Sequence, residues 1–275
     1  MHVGIFAKTF LRDTLEDVLD AVASHEIHSI QFNMACAGLP SMPDSIDVDL
    51  RTRIRDAMRQ RGLTMSAVSG TFNMIHPDPH QRQIGLRRLE ALAQACSDMG
   101  TGLITLCTGT RDPENMWRHH PDNVSPAAWN DLCGSMECAI EIAERNRVTL
   151  AIEPEVSNVV DSASKARRLL DEMGSPMLRV VIDGANLFHV GELPRMREVL
   201  SEAFDLLGDA IVLAHAKDLG RDGEAGHEAA GMGALDYDHY ITLLNSIGYN
   251  GPLILHGLRE EQVSSCVRFL LSKVG

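Results

Sequence analysis

The sequence predicts an α/β protein, a single (β/α)8 TIM barrel running from residue 1 to 275, and three observations predict it. Strand-like and helix-like stretches alternate from end to end, eight of each, with no linker between them. Several strand candidates are continuous apolar runs, the pattern of a parallel strand buried on both faces. The longer connections all follow strands and the short ones follow helices, as expected where one face carries function and the other stability. The competing fold is a doubly wound open sheet, but Phe6-Ala-Lys-Thr-Phe after the first strand lacks its glycine-rich turn.

The first strand candidate, 2–7, leads to a helix at about 14–24, where Asp13-Thr14 supplies a cap and Glu16-Asp17 an acidic first turn. Strand 28–33 precedes helix 48–61, and strand 63–69 precedes helix 80–99 across a loop from Gly70 to Pro79. After strand 103–108, a long loop from Gly109 to Ser125 ends in Ser125-Pro126, a cap followed by a first-turn proline, and helix 126–146 begins. Strands 148–153 and 178–183 alternate with helices 161–173 and 194–207. Strand 210–215, a connection from Lys217 to Asp236, helix 236–247, strand 252–256 and a helix near 260–273 complete the chain. Gly62, Gly100, Gly174, Gly208 and Gly248 each follow a helical pattern and read as carboxyl-terminal caps.

With 38 acidic and 25 basic residues the net charge is −13, which opposes phosphate backbones and anionic lipid, so neither nucleic acid nor membrane is an expected partner. The first residues lack the basic segment and long apolar core of a leader, and a cytoplasmic protein is expected. Six cysteines without a Cys-x-x-Cys pair read as buried small hydrophobes. Barrels of this kind often pair, so a homo-oligomer is open, although no stretch identifies an interface.

Four strand candidates run into one metal-capable side chain each: Glu153, Asp183, His215 and His256. In a closed parallel barrel these ends converge on one mouth. Two carboxylates and two imidazoles form an open site for a divalent cation, suiting Mn²⁺, Fe²⁺, Co²⁺ or Zn²⁺ better than Ca²⁺, with Mg²⁺ also open. The competing reading is a metal-free set that holds substrate hydroxyls. Glu155 points the same way as Glu153 and either orients a ligand, holds a sugar hydroxyl or is a solvated acid. Asn186 suits a hydroxyl-bearing ligand or a turn. Lys217, two past His215, would meet an oxyanion in the mouth or pair with a carboxylate. His76 is a substrate-binding candidate in an aromatic and amide-bearing loop, or orders that loop; Arg111 and Trp117 could close over a substrate. His119 and His120 are adjacent and point apart, and His189 reads as a surface or helix-start residue. The glycine-rich stretch 220–233 fits a mobile flap and lacks the ending of a phosphate-binding P-loop.

The alternation, together with Ala-Ile-Glu153-Pro, Val-Ile-Asp183-Gly-Ala-Asn186, His215-Ala-Lys217-Asp218, Gly231-Met-Gly233 and Gly251-Pro-Leu-Ile-Leu, resembles the xylose isomerase-like superfamily of sugar phosphate isomerases and epimerases over essentially the whole chain. The resemblance to its ketose 3-epimerases implies a divalent metal, usually Mn²⁺, on Glu153, Asp183 and His215. Their fourth ligand is a glutamate, and here His256 stands in that place, which removes one of the two carboxylates that pass the proton between substrate faces. Asn186 and Val159 stand where such relatives carry a histidine and a further glutamate.

The expected activity is isomerisation or epimerisation of a sugar or sugar phosphate by proton abstraction next to a carbonyl, through a metal-stabilised enediolate. Glu153 is the expected base; His256 is a ligand or the partner acid, two roles that compete. The alternatives are an inosose-type dehydratase on the same site and an endonuclease-type phosphodiester hydrolase, which would want more metal ligands and a basic face.

Overall fold

The computed structural model describes residues 1–274. Eight parallel strands close on themselves: β1 (His2–Phe6), β2 (Ser29–Phe32), β3 (Thr64–Ser69), β4 (Leu103–Cys107), β5 (Thr149–Glu153), β6 (Leu178–Asp183), β7 (Ile211–Asp218) and β9 (Pro252–Leu255). Each pairs with its neighbours in chain order, and β9 pairs with both β7 and β1 to seal the barrel. Between β7 and β9 the short β8 (Glu228–Ala229) folds back antiparallel on Lys217 and Asp218. The outer ring comprises α1 (Leu15–Ala23), α2 (Val48–Gln60), α3 (Pro79–Met99), α4 (Pro126–Asn146), α5 (Ala163–Met173), α6 (Met196–Leu207), α7 (Tyr237–Ser246) and α8 (Val263–Val274).

The helix starts follow local chemistry. Thr14 Oγ1 accepts from the Asp17 amide at 3.2 Å and Ser125 Oγ from the Ala128 amide at 3.1 Å, filling donors a helix leaves unpaired. At the other ends Gly62, Gly100, Gly174 and Gly248 adopt positive φ, as expected. Gly208 does not: its φ is −54°, and a side chain there would meet Phe204 O at 2.7 Å and Ile247 Cγ2 at 2.8 Å, so close packing explains that glycine.

Two apolar regions result. One lies between strands and helices; the other fills the barrel interior with Ala67, Ala151, Val181, Leu213 and Ile254. Small residues on some strands leave room for branched ones on others. Gly4 is the extreme case, since a Cβ there would stand 2.6 Å from Ile254 Cδ1 and 3.0 Å from Ser29 O. Gly4→Ala is therefore expected to lose about 1–3 kcal/mol in urea unfolding, with partial recovery when Ile254→Val removes the nearest atom. Unchanged stability in the single variant would mean that this packing is looser than described.

Above this apolar layer the inward positions turn polar, and that change of layer is where the functional site begins. Among the described residues, no helix is long and apolar enough to cross a membrane.

Candidate metal centre

Register places the four strand-end residues together. Asp183 on β6 is level with His215 on β7, which is level with Ile254 on β9, and His256 follows two positions later on the same inward side. Glu153 ends β5. One donor atom from each of Glu153, Asp183, His215 and His256 lies within 4.8 Å of all the others. His256 Nε2 is 2.9 Å from Asp183 Oδ2, and His215 Nδ1 is 3.4 Å from Glu153 Oε1 and 3.9 Å from Asp183 Oδ2.

The orientation of His215 is set from β2 and β4. Its Nε2 lies 2.8 Å from Gln31 Oε1, an acceptor, while Gln31 Nε2 donates to Thr105 Oγ1 at 3.2 Å. In the neutral ring Nε2 then holds the hydrogen, and Nδ1 turns a bare lone pair toward the carboxylates. That atom is buried with no hydrogen-bond partner. Electron-rich atoms facing one another in a buried space are unfavourable unless a cation lies between them. The donor set thus fits a divalent cation on the chain's own geometry.

Charge in the site is balanced by Lys217, whose Nζ is 3.4 Å from Asp183 Oδ2. Burial alone would drive the ammonium down, but Asp183, Glu153 and Glu155 outweigh it and hold it above the ordinary lysine value. Burial likewise opposes ionisation of Asp183, and Lys217, His256 and His215 reverse that, keeping it below the usual carboxylate range. Glu153 is also lowered, because burial is outweighed by a proton on His215 Nδ1 and the Lys217 ammonium in the metal-free site, where that proton and a cation compete for one position. His256 is pushed down to about 4 by burial and by Lys217 and His215, so it is a neutral imidazole whose Nε2–H donates to Asp183 Oδ2 at 2.9 Å, a hydrogen that a cation bound at Nε2 would displace. Glu155, buried beside Glu153, is pushed up to about 7.

Glu153, His215 and His256 line a cleft of about 480 Å³ that also takes in Glu155, Asn186, Lys217 and Trp117, while Asp183 is fully buried behind them. Asn186 Nδ2 donates to Glu153 Oε1 at 2.6 Å, and Asn186 Oδ1 accepts from Gly226 at 2.8 Å. His76, expected to touch substrate, is absent from the cleft wall. Its Nε2 meets Pro113 O at 3.1 Å and its Nδ1 accepts from Asp78, so the ring joins the loops after β3 and β4. Arg111 likewise turns away, to Asp131 at 2.7 Å and Ile75 O at 3.0 Å. His120 caps the short helical turn that follows it, and His189 faces solvent near Asp161.

The stretch expected as a flap is fastened in place. Asp218 accepts from the amides of Leu219, Leu235 and Gly231 at 2.8 to 3.0 Å, and Gly223 donates to Phe188 O at 2.8 Å. The stem of Lys217 lies between two glycines, because a Cβ on Gly226 or on Gly257 would each stand 2.8 Å from it.

Sequence reasoning did not single out Gln31, Asn33, Ser69 and Thr105, which line the cleft opposite the carboxylates. Their signal is the alternation Ser29, Gln31, Asn33, polar residues on one face of an otherwise apolar strand.

A family profile described as xylose isomerase-like TIM barrel matches residues 19–271. No curated protein matches in sequence. Among solved structures, the 3-keto-D-glucoside 4-epimerase of E. coli in its apo form is 15% identical, with TM-score 0.74 and 99% of each chain covered. The D-allulose 3-epimerase of Methylomonas sp. in complex with D-allulose is 14% identical, with TM-score 0.74, over 99% of this chain and 97% of that one. The IOLI protein with a bound zinc atom is 15% identical, with TM-score 0.75, over 100% and 98%. At these identities the likeness is one of fold, and with the family match over nearly the whole chain it establishes that the protein belongs to the xylose isomerase-like TIM barrel family.

Proposed function

We propose that this chain is a divalent-metal-dependent isomerase or epimerase of a small sugar, moving a proton on the carbon next to a carbonyl. The observation that carries the reading is His215 Nδ1, buried, unpartnered and aimed at two carboxylates within a four-residue donor cluster. Solved structures of similar fold include two sugar epimerases and a zinc-bound protein, which supports both the substrate class and a divalent ion. Glu153, Asp183, His215 and His256 would hold the ion, and Mn²⁺ is the first to test because the resemblance implies it. A bound divalent cation supplies Lewis-acid charge that acidifies the carbon beside a carbonyl.

The residues then divide the work. Oxygen Oε1 of Glu153 is engaged by Asn186 and faces His215, whereas Oε2 makes no hydrogen bond among the described residues. One oxygen is therefore fixed in the cluster and the other is free to take a substrate proton. Asn186 holds that carboxylate in place. Glu155 and Lys217 line the same cleft and would hold substrate hydroxyls and stabilise developing negative charge on oxygen. His256 turns Nε2 to Asp183 and serves as a ligand, leaving Glu153 as the carboxylate base of the cluster.

That single base also favours a second reading, loss of water after proton removal, as an inosose-type dehydratase performs. Mass spectrometry separates the two, because dehydration removes one water and isomerisation leaves the mass unchanged. The reading itself is tested by incubating Mn²⁺-loaded protein with ketoses in D2O. Deuterium should enter at the carbon beside the carbonyl, and Glu153→Gln should slow this by about 10²–10⁴-fold. No metal uptake on titration, together with no exchange, would overturn it.

A further inference from the structure

The cleft does not end at the metal-ligand cluster. Past Phe6 and Lys8, which line both spaces, a second cavity of about 440 Å³ opens, walled by Thr9, His227, Glu228, Leu258, Arg259 and Gln262. Its wall starts at Gly257, the residue after His256, and its opposite side is β8, hydrogen-bonded to the segment of β7 that carries Lys217. Anything seated on the cluster and extending past Phe6 enters it. A single hexose, close-packed, fills roughly 200 Å³, so the first space alone already accommodates one sugar ring.

The chemistry of the second cavity is that of a carbohydrate subsite. Phe6, half-buried at the end of β1, offers ring surface, and Leu258 adds aliphatic surface. Gln262 uses its Oε1 to accept from the Arg259 amide at 2.9 Å, which leaves its NH2 group to donate. Thr9 supplies a hydroxyl. A phosphate would call for converging unpaired cations. Here Arg259 is paired with Glu261 at 2.6 Å and His227 stands 3.2 Å from Glu224, while Glu228 adds a negative charge. Lys8 alone makes no ion pair among the described residues. One free cation offset by Glu228, with the other cations paired and an aromatic face beside them, suits a polyhydroxylated, uncharged group.

We propose that this second cavity is a subsite for a further sugar unit, so that the substrate class is a glycosylated keto-sugar with its carbonyl at the Glu153, Asp183, His215 and His256 cluster and its second ring beyond Phe6. This rests on the isomerase reading above for the position of the carbonyl-bearing ring. The subsite predicts that a second ring adds affinity without contact with the cluster.

The test is calorimetric titration of the intact protein, with Mn²⁺ present, by D-fructose and by its glucosylated forms turanose, maltulose and isomaltulose, which carry the glucose at different positions. The expected result is that at least one disaccharide binds ten-fold or more tightly than D-fructose. Thr9→Trp, which fills only the second cavity, and Gln262→Ala, which removes a donor, should each erase most of that gain and leave D-fructose binding unchanged. If D-fructose binds and no disaccharide binds more tightly, or if the gain survives both variants, the subsite is wrong and the isomerase reading stands. If neither class of sugar binds the metal-loaded protein, the subsite proposal is overturned, and the metal titration and D2O exchange decide the isomerase reading separately.

Discussion

Asp183→Ala is expected to abolish divalent-metal binding and to cost the metal-free protein about 3 kcal/mol of folding stability. Both effects come from one fully buried carboxylate. Its Oδ1 accepts from the Ala185 amide at 2.9 Å and so closes the turn after β6, while Oδ2 faces His256 Nε2 at 2.9 Å and Lys217 Nζ at 3.4 Å. Without it, Lys217 is a buried ammonium that has lost its nearest counter-charge, and breaking a buried pair from one side costs about 3–5 kcal/mol. The lower end applies because Glu153 and Glu155 still act on Lys217. Urea unfolding in chelator measures the stability, and metal titration the binding. A second substitution separates the causes: Asp183→Ala with Lys217→Met should recover much of the stability, the orphaned charge being gone, and none of the metal. A single variant as stable as the wild type would show that the Lys217 pair carries no net weight in the fold.

The four-residue cluster was legible because each member ends an apolar run, and parallel register alone brings Asp183, His215 and the end of β9 to one level. What lies between the donors was not. Gln31 meets His215 across 184 positions, and a lone amide on a strand does not announce its partner. The sequence also stops the seventh strand at His215, where the apolar run stops, yet β7 continues to Asp218. The extension is held by polar contacts: the three amides on Asp218, the Tyr237 hydroxyl donating to Lys217 O at 2.8 Å, and the two-residue β8, too short for any periodicity to reveal. His76 shows the opposite failure. A histidine in a strand-following loop carries the composition of a binding residue, but its two ring nitrogens are taken up by Pro113 O and the Asp78 amide, and only three-dimensional placement reveals that.

Gln31→Leu combined with Thr105→Val is expected to weaken metal binding by about 10–100-fold while leaving the fold and all four donors intact. Gln31 and Thr105 are both buried and bonded to each other, so removing the pair together leaves neither of them stranded, and the stability cost is confined to the buried His215 Nε2 that loses its partner, about 1–3 kcal/mol. What is lost is the acceptor at 2.8 Å that keeps the hydrogen of His215 on Nε2. The ring can then place its hydrogen on Nδ1, where Glu153 Oε1 stands 3.4 Å away and gives it an acceptor. That tautomer satisfies the apoprotein and blocks the ligand lone pair, so binding must first pay for moving the hydrogen back. Two measurements distinguish this from simple loosening of the ring. Nitrogen-15 correlation spectra of the metal-free protein should show an Nε2–H tautomer in the wild type and a mixture or Nδ1–H in the variant, and affinity for Mn²⁺ or Zn²⁺ should fall in parallel. Weaker binding with the tautomer unchanged would assign Gln31 to holding ring orientation alone. Unchanged affinity would remove it from the metal centre altogether, and with it the inference that the bare lone pair of His215 is prepared in advance for a cation.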